Sequence, residues 1–191
     1  MKVVMATNNQ NKLREAREIF APLGIEILSQ QEAGANVEPE ENGDTFEENA
    51  LIKAKAVYDI VKLPVFADDS GHCVDALGGA PGVHSARYAP KGEECQKLLT
   101  ALKDVPDEAR GAHFQCTIAY IDENGSGTLG AACVGKIGYE ERGTNGFGYD
   151  PVFLYNGKTL AEMTSEEKNA ISHRGAALRL LFEVYQERYG K

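Results

Sequence analysis

Apolar positions in the first thirty residues follow two periods, which predict a strand, a helix and a second strand. Residues 2–6, rich in Val and Met, predict the first strand, and residues 26–29 predict a short second one. Between them, apolar residues recur at the spacing of one helix face: Leu13, Ala16, Ile19, Phe20 and Leu23. Gly24 suits the end of that helix. The chain therefore begins like a βαβ unit.

A second helix is predicted from its start signal. Thr45, with Glu48 three residues later, forms a capping box before the run "NALIKAKAVYDIV". Pro64 interrupts the chain after this helix, and residues 65–67 predict a buried strand directly after it. Two adjacent aspartates in "FADDSG" then arrive where this strand is expected to end. Either a solvated turn or a bound cation would explain two carboxylates at the edge of a core.

The second half of the chain predicts a hairpin and a terminal helix. A short helix is expected over residues 95–102, and residues 113–121 alternate apolar and polar positions, as a half-buried strand does. "DENGSG" is a hairpin signal, and residues 128–137 return as the partner strand. Residues 152–154 and 175–188 predict a short strand and the last helix. The order indicates a mixed α/β fold with no linker.

Length and composition narrow the class of protein. The 191 residues, 42% hydrophobic and 26% charged, suit one globular domain. No apolar run is long enough to span a bilayer, and no signal peptide is visible, which favours a cytoplasmic protein without a membrane partner. Cys73, Cys95, Cys116 and Cys133 are far apart, as expected of reduced thiols rather than of a zinc site.

The charge balance argues against nucleic acid as a partner. The chain has 20 Lys and Arg residues against 29 Asp and Glu residues, a net charge of −9. Binding to a phosphate backbone needs a basic stripe, which this balance does not favour. A small phosphorylated ligand needs only a local cluster of cations and backbone N–H groups.

Two stretches near the N-terminus could bind phosphate and a cation. "TNNQNK" lies between a strand and a helix start, where phosphates bind, although this stretch taken alone favours a plain N-cap with an exposed Lys12. The acidic loop over residues 31–44 and "DDSG" could together hold Mg²⁺, Mn²⁺ or Ca²⁺. On the capped helix, one of Lys53 and Lys55 is expected on the solvated face.

Two later stretches could bind a planar ring. In "GTNGFGYDP", glycines flank Phe147 and Tyr149, which could stack on a base, although an ordinary glycine-rich turn fits as well. "EEKNAISHRG" gathers hydrogen-bond donors within seven residues: Lys168, Ser172, His173 and Arg174. A phosphate loop, carboxylates, an aromatic shelf and a donor cluster together describe a metal-assisted nucleotide site.

The motifs, taken in order, resemble the inosine triphosphate pyrophosphatases. The matching stretches run from residue 7 to residue 175 and are "TNNQNK", "TFEENALIKA", "FADDSG", "LGGAPGVHSARY", "GFGYDP" and "EEKNAISHRG". The resemblance implies that purine nucleoside triphosphates with hypoxanthine or xanthine are hydrolysed to the monophosphate and pyrophosphate. It also implies a single domain over residues 1–191, with two lobes flanking a nucleotide-binding cleft, and a homodimer.

The resemblance also implies a role for each site residue. Asp69, supported by Asp68, would be the general base and, with Glu41, would bind Mg²⁺ or alternatively Mn²⁺. The phosphates would be held by Thr7, Asn9 and Lys12, with a lesser part for Asn8. Lys53 would reach into the same site as a third catalytic residue beside Asp69 and Asp68. Substrate contacts would come from Ser70, Phe147, Gly148, Tyr149, Asp150, Lys168, Ser172, His173 and Arg174, of which Lys168, His173 and Arg174 would read the base.

Two rival functions remain open at this point. One is the related septum-site type of nucleotide pyrophosphatase, which acts on thymidine or modified nucleotides and shares the strand–loop–Lys opening. The other is a sensor that binds inosine triphosphate without hydrolysing it. Asp69 and Glu41 argue against the sensor, because a pure binder needs no base.

Overall fold

The computed structural model describes residues 1–190 and contains five α-helices and eight β-strands. In chain order the elements are β1 (Lys2–Met5), α1 (Gln10–Phe20), β2 (Glu26–Ser29), α2 (Phe46–Val61), β3 (Val65–Val74), β4 (Pro81–Gly82), α3 (Glu94–Ala101), β5 (Gly111–Asp122), β6 (Gly125–Ile137), β7 (Phe153–Tyr155), β8 (Lys158–Thr159), α4 (Ser165–Ile171) and α5 (His173–Tyr189). The predicted strands and helices are present, and α4 and the two-residue strands β4 and β8 are additions to them. Within these residues, no helix is long and apolar enough to cross a membrane.

The strands form one mixed sheet, which confirms the predicted α/β class. Their order is β2-β1-β3-β5-β6-β7-β8, and β4 pairs with β3 outside this path. β1 is parallel to both β2 and β3, whereas β7 is antiparallel to both β6 and β8. β1 is flanked by parallel partners, and its residues Val3, Val4 and Met5 are fully buried, whereas Lys2 at its start is exposed.

The prediction that the strand ends before the two aspartates is wrong. β3 continues without a break from Val65 to Val74, and Asp68 and Asp69 lie in its interior as buried residues. A sequence pattern cannot anticipate this, because charged residues are depleted in strands unless tertiary partners neutralise them. The partners that do so here come from three different helices.

The donor-rich stretch before the last helix is also organised differently from the prediction. Residues 165–171 form α4, whose start is a capping box between Thr164 and Glu167. α5 begins at His173, so that Lys168 lies in one helix and His173 in the next. In α1, the predicted apolar face is only partly realised, because Leu23 falls in a 3₁₀ turn and stays exposed.

The chain divides into two compact units, whose boundaries fall inside β3, β5 and β6. Unit 1 comprises residues 1–69, 116–131 and, among the described residues, 174–190; unit 2 comprises residues 70–115 and 132–173. Unit 1 has two apolar clusters, one that includes residues of α1 and α5 and one that includes residues of α2. Unit 2 has a single cluster that includes Leu98, Phe114 and Phe153.

Candidate active site

The loop after β1 is held by its own side chains. Asn9 is the N-cap of α1, and its Oδ1 accepts the backbone N–H groups of Asn11 at 3.0 Å and Lys12 at 3.2 Å. The hydroxyl of Thr7 accepts the N–H of Asn9 at 3.1 Å. Asn9 is therefore an N-cap, and the cap also fixes the helix turn that carries Lys12. The expectation of an exposed lysine is wrong, because the Lys12 side chain is 17% exposed and lies against Asp68.

Asp68 lies at the centre of a buried charge network within unit 1. Its Oδ1 is 3.1 Å from Lys12 Nζ, and its Oδ2 accepts a hydrogen bond from Arg174 Nε at 3.0 Å. Burial alone would raise the pKa of Asp68, but the positive charges of Lys12, Arg174 and Lys53 outweigh burial and hold this pKa well below its usual range. Asp68 is therefore a carboxylate whose low pKa makes it a weak proton acceptor, and its contacts orient Lys12 and Arg174.

Glu15 completes this network and was not anticipated from the sequence. Its Oε2 accepts a hydrogen bond from Arg174 Nη1 at 2.5 Å, and both side chains are buried. Glu15 follows Lys12 by three residues on α1, so the two side chains share one helix face. The spacing of Lys12 and Glu15 was a signal that could have been used. A carboxylate on the same helix face as a predicted phosphate-binding lysine suggests that a further positive charge lies beside it.

The position of Arg174 bears on its predicted role. The side chain is 4% exposed, and both its Nε and Nη1 donate to carboxylates of unit 1. Burial alone would lower the pKa of Arg174, but Asp68 and Glu15 outweigh burial and raise it. Base reading by Arg174 stays a prediction, whereas its support of Asp68 is a direct observation.

Asp69 takes part in a second set of contacts, built around Lys53. Lys53 Nζ lies 3.3 Å from Asp69 Oδ1 and 3.5 Å from Glu41 Oε1, and it donates to the backbone carbonyl of Asp68 at 2.7 Å. The Lys53 side chain is 14% exposed, whereas that of Lys55 is 72% exposed and pairs with Asp59. The structure thus selects Lys53 as the inward lysine of α2.

The two adjacent aspartates are separated by the geometry of the strand. Successive side chains of a strand point to opposite faces, which sends Asp68 to Lys12 and Arg174, and Asp69 to Lys53. The geometry thus places cations beside both carboxylates, with Lys12 and Arg174 at Asp68 and Lys53 at Asp69.

The ionisation of this second set differs from that of Asp68. Burial raises the pKa of Asp69, and the opposing charges of Lys53 and Lys12 do not fully offset it. For Lys53, burial would lower the pKa, but the charges of Asp68, Asp69 and Glu41 raise it above its usual value. Asp69 is thus the more basic of the two aspartates, which is the property a proton acceptor needs.

The residues around Asp69 fit a divalent cation. Asp69 Oδ2 is buried without a hydrogen-bond partner, and Glu41 lies on the same ammonium as Asp69. Within residues 1–190, no group of three or more His, Cys, Asp and Glu is arranged to hold a metal. Two carboxylates nevertheless suffice for Mg²⁺ when substrate phosphates and water complete its shell.

In unit 2, a single carboxylate organises the glycine-rich loop. Asp150 Oδ2 accepts hydrogen bonds from Lys168 Nζ at 2.7 Å and from the backbone N–H of Phe147 at 2.9 Å. The Lys168 ammonium also lies 4.8 Å from the centroid of the Phe147 ring. Gly146 has φ +72°, and a Cβ there would lie 2.1 Å from Asp150 Oδ2, so the close approach requires glycine.

An aromatic stack holds His173 within unit 2. The imidazole of His173 lies parallel to the Phe114 ring, with centroids 4.8 Å apart and planes 9° apart, and His72 packs on Phe114 at 4.6 Å. Tyr149 contacts His72 at 4.8 Å, and its hydroxyl donates to the carbonyl of Ser85 at 2.7 Å. The proton of the Tyr149 hydroxyl is therefore already used in a hydrogen bond to the backbone of Ser85.

The remaining predicted residues lie close to these groups along the chain. Ser70 follows Asp69 in β3 and is half-buried, and Ser172 is the buried residue between α4 and α5. Gly148 has φ +62°, and its carbonyl accepts the Cys95 thiol at 3.3 Å. Asn8 Nδ2 donates to Glu38 at 3.1 Å, so it contacts the acidic loop.

The chain matches a known family over nearly its whole length. The model of the Ham1 family matches residues 3–184. The chain belongs to the Ham1 family. This membership, together with relatives named dITP/XTP pyrophosphatase, confirms the resemblance inferred from the motifs.

Two relatives and one solved structure illustrate the likeness. The dITP/XTP pyrophosphatase of Treponema denticola is 50% identical over 188 residues, which are 93% of this chain and 95% of that protein. The dITP/XTP pyrophosphatase of Shigella flexneri is 48% identical over 192 residues, 96% and 97% of the two chains. The Ham1 protein of Staphylococcus aureus is 35% identical, with a TM-score of 0.86 over 98% of this chain and all of that one.

Proposed function

We propose that this protein hydrolyses inosine and xanthosine triphosphates, in ribo and deoxyribo forms, to the monophosphate and pyrophosphate. The observation that carries the proposal is Asp69, a buried carboxylate with one oxygen lacking a hydrogen-bond partner, a raised pKa, and Lys53 and Glu41 beside it. The relatives named dITP/XTP pyrophosphatase support the choice of substrate.

The phosphates are assigned to unit 1. Lys12 and Lys53 supply two ammonium groups, and the cap on α1 orients the turn that carries Lys12. Both ammonium groups are only partly exposed, so their attraction for a polyphosphate is less screened than that of a surface lysine. Asp68 and Glu15 partly neutralise the positive charges of this cluster, so that Lys12 and Arg174 have partners when the substrate is absent.

Asp69 and Glu41 are assigned to a divalent cation, and Asp69 also to the proton transfer. A bound Mg²⁺ would supply positive charge to the phosphates and acidify a coordinated water. Asp69 accepts the proton of the attacking water, for which its raised pKa is suitable. Lys53 keeps Asp69 oriented through its contacts with Asp69 Oδ1 and the Asp68 carbonyl.

The base is assigned to unit 2. Phe147 offers a half-buried ring whose neighbour Lys168 is a donor, and His173 is held in orientation by Phe114. Donors at this site favour the keto oxygen at position six of hypoxanthine and xanthine. Adenine carries an amino group there, so that a donor would face a donor, and buried polar groups would stay unpaired.

The test is pyrophosphate release in the presence of Mg²⁺ from ITP, XTP, GTP, ATP and dTTP, with orthophosphate measured in parallel. Fast release of pyrophosphate from ITP and XTP, with little from the other three, is the expected result. Preference for dTTP would indicate the septum-site type of enzyme instead. Binding of ITP without turnover would indicate a sensor and would overturn the proposal.

A homodimer is part of the proposal and rests on the resemblance to the inosine triphosphate pyrophosphatases. Light scattering coupled to gel filtration gives the mass directly, and about twice the 20.7 kDa of one chain is expected. A mass of one chain at the concentration of the activity assay would contradict it.

A further inference from the structure

A buried amide ties the acidic loop to the helix that carries Lys53. Asn49 is the fourth residue of α2 and is 1% exposed. Its Oδ1 accepts the backbone N–H of Gly43 at 2.8 Å, and its Nδ2 donates to the carbonyl of Gly43 at 3.4 Å. One side-chain amide, which carries both an acceptor and a donor, thus satisfies both backbone groups of one loop residue.

The same helix holds the loop at a second point. Asn49 and Lys53 are four residues apart and therefore share a face of α2. Asn49 binds the backbone at Gly43, and Lys53 Nζ lies 3.5 Å from the carboxylate of Glu41, two residues earlier. The Glu41 side chain is 38% exposed, so packing alone does not fix its place.

Gly43 is shaped for this contact. A Cβ added at Gly43 would lie 2.7 Å from Glu48 Cβ and 2.8 Å from Asn49 Oδ1, closer than real side chains approach. Its φ is not among the positive values found at other glycines, so the backbone conformation does not require glycine there. The close approach of Gly43 to both Glu48 and Asn49 is what excludes a side chain.

Capping of α2 does not account for Asn49. The hydroxyl of Thr45 accepts the N–H of Glu48 at 3.1 Å, and Glu48 Oε2 accepts the N–H groups of Asp44 at 2.7 Å and Thr45 at 3.3 Å. These bonds complete the capping box without Asn49. The two bonds of Asn49 act on the loop instead.

We propose that Asn49 is a positioning residue that, through Gly43, places Glu41 for binding of the divalent cation. The inference rests on the proposed function only in taking Glu41 as a metal ligand. Residues that orient metal ligands commonly change metal affinity by about 10-fold or more when removed. We therefore expect weaker metal binding in a folded protein when this contact is lost.

The experiment compares two substitutions that break the contact from opposite sides. Asn49→Ala removes the amide, and Gly43→Ala forces the loop away by steric overlap. Binding of Mn²⁺ is followed by electron paramagnetic resonance in the presence of an ITP analogue with a methylene bridge between the α- and β-phosphates. Hydrogen exchange of residues 38–44 is measured on the same samples, because Gly43 N–H is protected only while the contact exists.

Val57→Ala is the matched control for stability. Val57 is buried on the same helix, two turns after Asn49, and its apolar side chain belongs to the core cluster and can form no hydrogen bond with the loop. It should lower the melting temperature without changing Mn²⁺ affinity or exchange in residues 38–44. Asn49→Ala and Gly43→Ala should both weaken Mn²⁺ binding about 10-fold and raise that exchange.

Three outcomes would overturn the inference. One is raised exchange in Asn49→Ala with unchanged Mn²⁺ affinity, and another is equal weakening in Val57→Ala. The third is absence of Mn²⁺ binding in the unaltered protein, which would remove Glu41 as a ligand. Mn²⁺ binding that depends on Asn49, in a protein that releases no pyrophosphate from ITP, would support the inference while the proposed function fails.

Discussion

The two units hold their candidate residues by different physical means. In unit 1, Lys12, Asp68, Arg174 and Glu15 form a chain of alternating buried charges. In unit 2, His173 is held by stacking on Phe114, and one buried ion pair, between Asp150 and Lys168, supports the loop of Phe147. The oriented charges of unit 1 suit the phosphates assigned to it. The aromatic rings of unit 2 suit a purine, which needs a flat surface and a small number of hydrogen-bond donors.

The comparison also shows which contacts are sensitive to a single change. Removing one member of a buried ion network leaves an uncompensated charge, which is costly. Removing one ring of a stack leaves a cavity but no stranded charge, which costs less when neighbours relax. Changes in unit 1 should therefore have the larger effects.

The largest effect is expected from Asp69→Asn. The substitution preserves shape but removes the proton acceptor, and loss of a general base typically lowers turnover by about 10²- to 10⁴-fold. Single-turnover assays with Mg²⁺ and ITP measure the chemical step, and binding of ITP should survive. Lys55→Ala, on the exposed face of α2, is the control. Turnover near that of the unaltered protein would remove Asp69 from this role.

Arg174→Ala separates support of the phosphate side from reading of the base. The carboxylates of Asp68 and Glu15 would lose a shared cation, and breaking buried pairs in this way costs about 3–5 kcal/mol of stability. Because its observed partners are carboxylates, we expect ITP and ATP turnover to fall by the same factor. Urea denaturation and the ITP-to-ATP ratio of kcat/KM measure the two effects. A loss of activity with ITP that exceeds the loss with ATP would instead support the predicted role of Arg174 in reading the base.

His72 provides a test of the aromatic stack through pH. It is fully buried, neither ring nitrogen has a hydrogen-bond partner, and burial lowers its pKa to about 3, with a smaller contribution from His113. Because the folded value lies below the ordinary 6.5, the unfolded chain binds more protons between these values, and stability falls as pH falls through this window. Acidification from pH 6.5 to 5 should cost about 2 kcal/mol from this residue.

The check is urea denaturation at pH 7 and pH 5 for the unaltered protein and for His72→Phe. The phenylalanine keeps the stack but cannot bind a proton, so its stability should depend less on pH. Asp69, whose folded pKa is raised, changes stability in the opposite direction, and the difference between the two proteins removes that contribution. Identical pH dependence in both would show that His72 is not buried as a neutral ring.

The smallest effect is expected from Phe147→Leu. The variant loses the ring beside the Lys168 ammonium and the proposed stacking surface for the base, which together are worth about 1–1.5 kcal/mol. KM for ITP should rise about 10-fold with a smaller change in kcat. Phe147→Tyr keeps the ring and should stay near the unaltered value. An unchanged KM in Phe147→Leu would place the base elsewhere.

Much of the local structure could be predicted because its causes lie close together in the chain. The start of α2 follows from Thr45 and Glu48, three residues apart, and the turn between β5 and β6 follows from a hairpin signal. The resemblance to the family could also be inferred from the sequence, because each of its motifs is a continuous stretch of the chain. In contrast, α4 was missed although Thr164 and Glu167 carry the same capping-box spacing.

Tertiary structure alone decided how the charged residues are used. Arg174 lies 159 positions from Glu15 and 106 from Asp68, and no local pattern relates residues so far apart. The same is true of the choice of Lys53 over Lys55, and of β3 continuing through two aspartates. Local sequence is enough to show which charges and rings are available and where a helix such as α2 begins. Folding decided which opposite charges meet, because burial makes an ion pair necessary only after distant segments have come together.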